Sequence, residues 1–180
     1  TGDISSLEKG REIYAATGSF GQGVTVTPLQ MLTAFSAIAR GGTLVKPTIV
    51  EKIMGEEDTE VTPVAEGDQV ISEMTAETLR AMMVSTIENG YSKKARVSGY
   101  TIAGKSGTAE IPNKDAVGYS EETIHSFIGF GPVDERESVF AMLVKLDRPT
   151  AVPFASDSAA PLFAEIAKFL LDYLEVPPSS

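Results

Sequence analysis

Gly104-Lys105-Ser106-Gly107-Thr108-Ala109-Glu110 lies within Tyr100 to Ile111, a stretch that reads as a β-strand. Two more strands follow, Thr123 to Gly131 and Ser138 to Leu146, joined by the hairpin-length connection Pro132 to Glu137. Ser138-Val139-Phe140-Ala141-Met142-Leu143-Val144 is apolar on both alternating faces, so this strand needs cover on both sides. A helix over Ser158 to Leu174, with Leu162, Phe163, Ile166, Phe169, Leu170 and Leu174 as a wide apolar face, offers one cover. Earlier helices must offer the other. Pro177-Pro178-Ser179-Ser180 reads as a frayed end.

Toward the start, a short helix is predicted over Ser6 to Ala15, followed by the glycine-rich Gly18-Ser19-Phe20-Gly21-Gln22-Gly23. Thr27 then suits an N-cap, Pro28 the first helical position, and Gln30 the closure of a capping box. Met31, Leu32, Phe35, Ile38 and Ala39 recur at helical spacing until Gly41-Gly42 stops the helix. Leu44 to Met54 reads as extended, with Pro47 marking an edge or bend, and the acidic Gly55 to Gln69 as a surface excursion. Ser72 opens another helix, with Leu79, Met82, Met83 and Ile87 as its stripe and Asn89-Gly90 as its end. The order is a helical segment (1–95), a three-strand meander with a terminal helix (96–175) and a tail (176–180). This is α+β, an antiparallel β-sheet flanked by helices.

Hydrophobic residues make up 42 % of the 180 and charged residues 22 %, which places the chain among folded proteins and away from disordered ones. A net charge of −10 argues against nucleic acid as a partner, since such binding needs a basic footprint. Lys93-Lys94-Ala95-Arg96 is the one basic cluster and reads as a solvated loop. With no cysteine and one histidine, His125, neither a thiolate nor a polyhistidine metal site can form, and no cofactor is called for. No run of ~20 apolar residues is present, so a soluble chain is expected.

In a strand, alternate residues face opposite sides. Ser106 and Thr108 therefore share one face, and Lys105 and Gly107 the other. Two hydroxyls so spaced can hold both oxygens of a carboxylate. Lys105 supplies positive potential and can donate to a neighbouring catalytic hydroxyl, while Gly107 allows close backbone approach. At a sheet edge, the strand's unpaired N–H and C=O groups can take up an extended peptide. Ordinary solvent-facing hydroxyls would fit the string equally well.

Lys105-Ser106-Gly107-Thr108 resembles the Lys-Thr/Ser-Gly box of penicillin-binding proteins and serine β-lactamases. Ser19-Phe20-Gly21-Gln22-Gly23 followed by Val26-Thr27-Pro28-Leu29-Gln30 is similar to the segment that opens a helix in class B penicillin-binding proteins. His125-Ser126-Phe127-Ile128-Gly129-Phe130 is similar to their strand after the box. The likeness runs from Gly18 to Tyr173.

The resemblance implies a partial β-lactamase/transpeptidase-like fold and acyl transfer through a covalent intermediate. The donor would be a peptidoglycan stem peptide ending in D-Ala-D-Ala, the acceptor an amine of a neighbouring stem, and β-lactams would mimic the donor. The family uses three boxes: Ser-x-x-Lys with the nucleophile, Ser-x-Asn, and the box above. By carry-over, Lys105 contacts the Ser-x-Asn serine. Ser106 and Thr108 hold the substrate carboxylate, with Gly107 beside it, and the Thr108 N–H is one oxyanion donor. Lys105 and Thr108 are thus the expected catalytic residues, and Ser106, Gly107 and Thr108 the substrate-binding ones.

No Ser-x-Asn occurs in the chain. Ser6-Leu7-Glu8-Lys9 fits Ser-x-x-Lys, but the family puts that box far upstream of the Gly-Gln-Gly segment, so Ser6 reads as a helix cap. Ser156-Asp157-Ser158 reads as the polar approach to the last helix. The expectation is the C-terminal half of the domain, starting just after the second box, with Thr1-Gly2 matching a Thr-Gly there. Alone it would be inactive, and its partner would be the N-terminal half. The full-length protein would act at the extracytoplasmic face of the bacterial membrane. The helices Pro28 to Arg40 and Glu73 to Asn89 should then show apolar surface. Ile111 to Glu122 would flank the groove as a solvent loop, and His125 would be a hydrogen-bonded strand histidine. The alternatives are a non-catalytic module that binds peptidoglycan or protein through the edge strand, and a separate serine hydrolase using Ser6 and Lys9.

Overall fold

The computed structural model describes residues 2–55, 59–61, 66–113, 117–133 and 138–179. Outside them fall Thr1, parts of the acidic excursion (56–58 and 62–65), part of the groove-side loop (114–116), most of the hairpin connection (134–137) and Ser180. In chain order the elements are α1 (Ser5–Glu8), α2 (Glu12–Gly18), α3 (Pro28–Ala39), β1 (Thr43–Val45), β2 (Lys52–Met54), β3 (Thr59–Val61) and β4 (Glu66–Gln69). There follow α4 (Glu73–Glu88), β5 (Ala103–Pro112), β6 (Tyr119–Gly131), β7 (Phe140–Asp147) and α5 (Ala159–Tyr173), with 3-10 turns at Lys93–Ala95 and Ala155–Asp157.

Local chemistry sets the helix ends. Thr27 Oγ1 accepts from the Gln30 N–H at 3.2 Å, and Gln30 Oε1 accepts from the Thr27 N–H at 2.9 Å, a complete capping box ahead of Pro28. α3 ends where the Gly42 N–H reaches back to the Ala37 carbonyl at 2.7 Å, with Gly41 and Gly42 both at positive φ. α4 opens on Ser72, whose Oγ accepts from the Thr75 N–H at 3.2 Å, and closes with Asn89 and Gly90 both donating to the Ser85 carbonyl. The predicted first helix is two, because Gly10 at φ +65° turns the chain between α1 and α2.

β5, β6 and β7 form an antiparallel sheet in that order. α5 covers one face. Its Phe163 sits 4.7 Å from the Phe127 ring, and Ala159, Ala160, Ala167 and Leu171 are fully buried beside it. α3 and α4 cover the other face, where Phe35, Ile38 and Met83 pack on Ala103, Phe130 and Ala141. The two-sided cover demanded by the apolar third strand is therefore met, and the fold is α+β with helices on an antiparallel sheet.

Four details differ from expectation. The acidic stretch read as a surface excursion takes part in pairing with the extended segment before it, because Thr43 pairs with Gln69 and Lys52 with Val61 in two antiparallel ribbons. The inner face of α5 is built from alanines with Phe163 and Leu171, which lets the helix lie close to the sheet; Phe169 stays 64 % exposed. In α4 the inward face is Ala76, Met83 and Ile87, and Met82 points out. The tail is tied rather than frayed, since the Ser179 N–H donates to the Gly99 carbonyl at 2.8 Å and the Tyr100 hydroxyl to the Val176 carbonyl at 2.7 Å.

Candidate active site

β5 is an edge strand, and the pairing of its partner fixes which groups face outward. In an antiparallel ladder, residues alternate between bonding the neighbour and pointing away from it. The Gly104 carbonyl accepts from the Thr86 hydroxyl of α4, so Gly104 belongs to the outward set. The same parity turns the backbone N–H and C=O of Ser106 and Thr108 toward the open edge. Lys105 agrees with this placement, because its Nζ donates to the Ser106 carbonyl at 2.7 Å and its side chain is exposed.

The side chains alternate as the strand requires. Ser106 lies opposite Phe127 and Thr108 opposite His125, on the α5 side, while Lys105 lies opposite Ile128 and Gly107 opposite Ser126. A Cβ at Gly107 would meet one atom, Ser126 Oγ, at 2.8 Å. Around the box stand residues that the sequence does not mark as part of it. Ser92, nearly fully buried just after α4, places its Oγ 3.4 Å from Ser106 Oγ. The Ala155 N–H, in the 3-10 turn before α5, donates to Thr108 Oγ1 at 3.1 Å. The polar run Ser156-Asp157-Ser158 hints at that turn, but only the fold reveals its contact with β5.

His125 is fully buried, with Nδ1 2.7 Å from Ser158 Oγ and Nε2 3.0 Å from Thr123 Oγ1. Half of the expected groove-side loop is strand, since Ile111 and Pro112 belong to β5 and Tyr119 to Glu122 to β6, with Pro112 opposite Tyr119. At the start of β6 a cleft of about 550 Å³ lies between Glu121 to Thr123 and Arg148 to Pro153, with Arg148 Nε 2.9 Å from Glu122 Oε2. Ser6 and Lys9 do not form a site. The Ser6 hydroxyl donates to the Gly23 carbonyl, inside α1 rather than as its cap, and Lys9 Nζ lies 5.9 Å from the Tyr14 ring centroid.

On the side expected to carry apolar surface, α3 fully buries only Ala37, and Leu29, Met74 and Met82 are exposed. An open cleft of about 300 Å³ runs beside Leu29, Thr33, Leu44 and Pro47. Among the described residues no helix is long and apolar enough to cross a membrane, and no group of acidic, histidine or cysteine side chains could hold a metal ion.

Residues 1–168 match the penicillin binding protein transpeptidase domain, and the chain belongs to that family. It is 37 % identical over 99 % of its length to stage V sporulation protein D of Bacillus subtilis, covering 28 % of that protein. It is 36 % identical over 88 % of its length to penicillin-binding protein PbpB of Mycolicibacterium smegmatis, covering 26 % of it. In structure it is similar to the apo transpeptidase domain of Burkholderia pseudomallei penicillin-binding protein 3, with a TM-score of 0.81 at 30 % identity, over 99 % of this chain and 52 % of that one. Penicillin-binding protein 3 of Mycobacterium tuberculosis, complexed with aztreonam, gives a TM-score of 0.78 at 30 % identity, over 92 % of this chain and 39 % of that one. The chain thus spans about a quarter of the two curated relatives and about half of the first of these structures.

Proposed function

We propose that this chain is the substrate-holding and oxyanion-side part of a peptidoglycan D,D-transpeptidase, which cross-links stem peptides by acyl transfer and is acylated by β-lactams. The serine nucleophile and its lysine would lie in an N-terminal half of the domain, upstream of residue 1. The full-length protein would work on the extracytoplasmic face of the bacterial membrane. What supports this is the open edge of β5, which turns the N–H and C=O of Ser106 and Thr108 outward, with their two hydroxyls on one face of the strand and the Lys105 side chain, bonded to the Ser106 carbonyl, on the other.

In this reading a donor peptide lies along β5 as an added strand and pairs with the outward backbone groups. Its terminal carboxylate meets the Ser106 and Thr108 hydroxyls under the positive potential of Lys105. The Thr108 N–H points at the carbonyl oxygen that gains charge when the nucleophile attacks. Removing one such donor typically lowers the rate by roughly 10²–10³. Gly107 leaves the strand's other face open for close approach.

The test is labelling by a fluorescent penicillin, read on a denaturing gel. The expected result is a covalent label on the full-length gene product, none on this 180-residue chain, and slower labelling of the full-length protein carrying Ser106→Ala with Thr108→Ala. A label on the isolated chain would disprove the assignment of the nucleophile to an upstream half. An unlabelled full-length protein would remove the transpeptidase reading. Reversible binding of a D-Ala-D-Ala peptide, lost in the same double variant, would then identify a non-catalytic module.

A further inference from the structure

We infer that His125, through Ser158, is a positioning residue that holds the turn Ala155–Asp157 against β5 and so fixes the Thr108 side chain and the backbone that carries its N–H. This rests on the proposed role of Thr108 for its catalytic consequence, but not for its structural part. His125 lies directly across the ladder from Thr108, and both side chains are on the α5 face. It is fully buried, and both ring nitrogens are within hydrogen-bond distance of hydroxyls.

Each ring nitrogen meets one hydroxyl, with Ser158 Oγ 2.7 Å from Nδ1 and Thr123 Oγ1 3.0 Å from Nε2. A hydroxyl can donate or accept, so the two serve either tautomer of the ring, and Ser158 Oγ has a second, longer contact to the Phe154 carbonyl at 3.4 Å. Every polar atom of the ring is satisfied without a carboxylate, as a buried imidazole requires.

Ser158 stands at the N-cap of α5, where a serine ordinarily accepts from an amide of the first turn. Here it makes no such bond, and its hydroxyl is committed to His125 and to Phe154. The helix start forgoes its usual cap, and the chain gains a strut between β6 and the turn. From that turn the Ala155 N–H reaches Thr108 Oγ1 at 3.1 Å. Because Thr108 Oγ1 accepts from Ala155, its own hydrogen is directed elsewhere, free to be donated to an anion at the open edge. The strut therefore holds the Thr108 rotamer and leaves its hydroxyl hydrogen available for donation.

Two measurements test this. The first uses this chain and needs no activity: hydrogen exchange of the Ala155 amide in wild type, Ser158→Ala and His125→Leu. About tenfold loss of Ala155 protection in both variants is expected, from breaking a hydrogen bond of ordinary net strength. His125→Asn, whose side-chain amide can still donate to Ser158, should restore part of it. Unchanged Ala155 protection in Ser158→Ala overturns the inference. The second uses the full-length protein and its acylation rate by a fluorescent penicillin. Ser158→Ala should slow acylation about tenfold alone and have little further effect in a Thr108→Val background, because both act through one hydroxyl. Additive losses would refute the route through Thr108. If Thr108→Val alone left acylation unchanged, the proposed role of the Thr108 hydroxyl would fall, while the exchange result would still decide the strut.

Discussion

Replacing Gly104 and, separately, Gly107 with alanine separates what β5 does for the core from what it does at the open edge. The two glycines are three residues apart on one strand, and neither has a positive φ, so alanine suits both backbones. Their surroundings differ. A Cβ at Gly104 would lie 2.7 Å and 2.8 Å from two carbons of the Phe127 ring and 3.1 Å from the Ile128 carbonyl. Phe127 is fully buried against Phe163 and cannot withdraw, so overpacking should cost about 1–3 kcal/mol. A Cβ at Gly107 would meet only Ser126 Oγ, a half-buried hydroxyl that can rotate about one bond. That rotation gives up a long 3.4 Å contact to the Gly107 carbonyl, and alanine recovers about 0.4–1 kcal/mol from the unfolded chain. The net change should lie within about 0.5 kcal/mol of zero. With a urea dependence of ~2 kcal/mol/M, Gly104→Ala should lower the unfolding midpoint by about 0.5–1.5 M and Gly107→Ala by less than about 0.3 M. Urea titration of this chain followed by circular dichroism provides the comparison. Equal shifts, or a larger one for Gly107→Ala, would refute the reasoning from space around each Cβ.

Thr27→Ala removes one side of a reciprocal cap and should cost about 1 kcal/mol, read as a drop in urea midpoint. Phe163→Ala empties the space between Phe127 and Phe140 and should cost about 3–5 kcal/mol, a large part of the stability of an ordinary domain, measured by the same titration. Tyr100→Phe should cost about 1 kcal/mol and speed hydrogen exchange of the Ser179 amide, because the hydroxyl that fastens Val176 is gone. Asp157→Asn breaks an exposed pair with Lys94 and should change the thermal midpoint by the equivalent of less than about 1 kcal/mol.

Features written in adjacent residues could be read in advance. Thr27-Pro28 with Gln30, Ser72, Gly41-Gly42 and the alternating strands each carry their signal within a few positions. The β1–β4 and β2–β3 ribbons do not, because strands of three or four residues are too short to show a period and Thr43 finds its partner at Gln69, 26 positions on. The α5 face was hidden for another reason. Leu162 and Ile166 are larger and more apolar than Ala160 and Ala167, yet close approach to the sheet favours the small side chains. The same divide runs through the site. Lys105, Ser106, Gly107 and Thr108 form one local string, whereas Ser92, Ala155 and Ser158 reach the box and His125 from distant segments. His125 was legible as a bonded strand histidine, but its partners were not.

The open rim of β5 also bears on solution behaviour. A strand edge that can receive an extended peptide can receive a strand of another molecule by the same hydrogen bonds, which makes it a starting point for aggregation. The rim carries features that blunt such pairing, with exposed Lys105 near one end, exposed Glu110 toward the other, and Pro112 closing the strand without an N–H to offer. Charge at Lys105 and Glu110 therefore favours colloidal stability, and neutralising both should leave the β5 edge more prone to self-association.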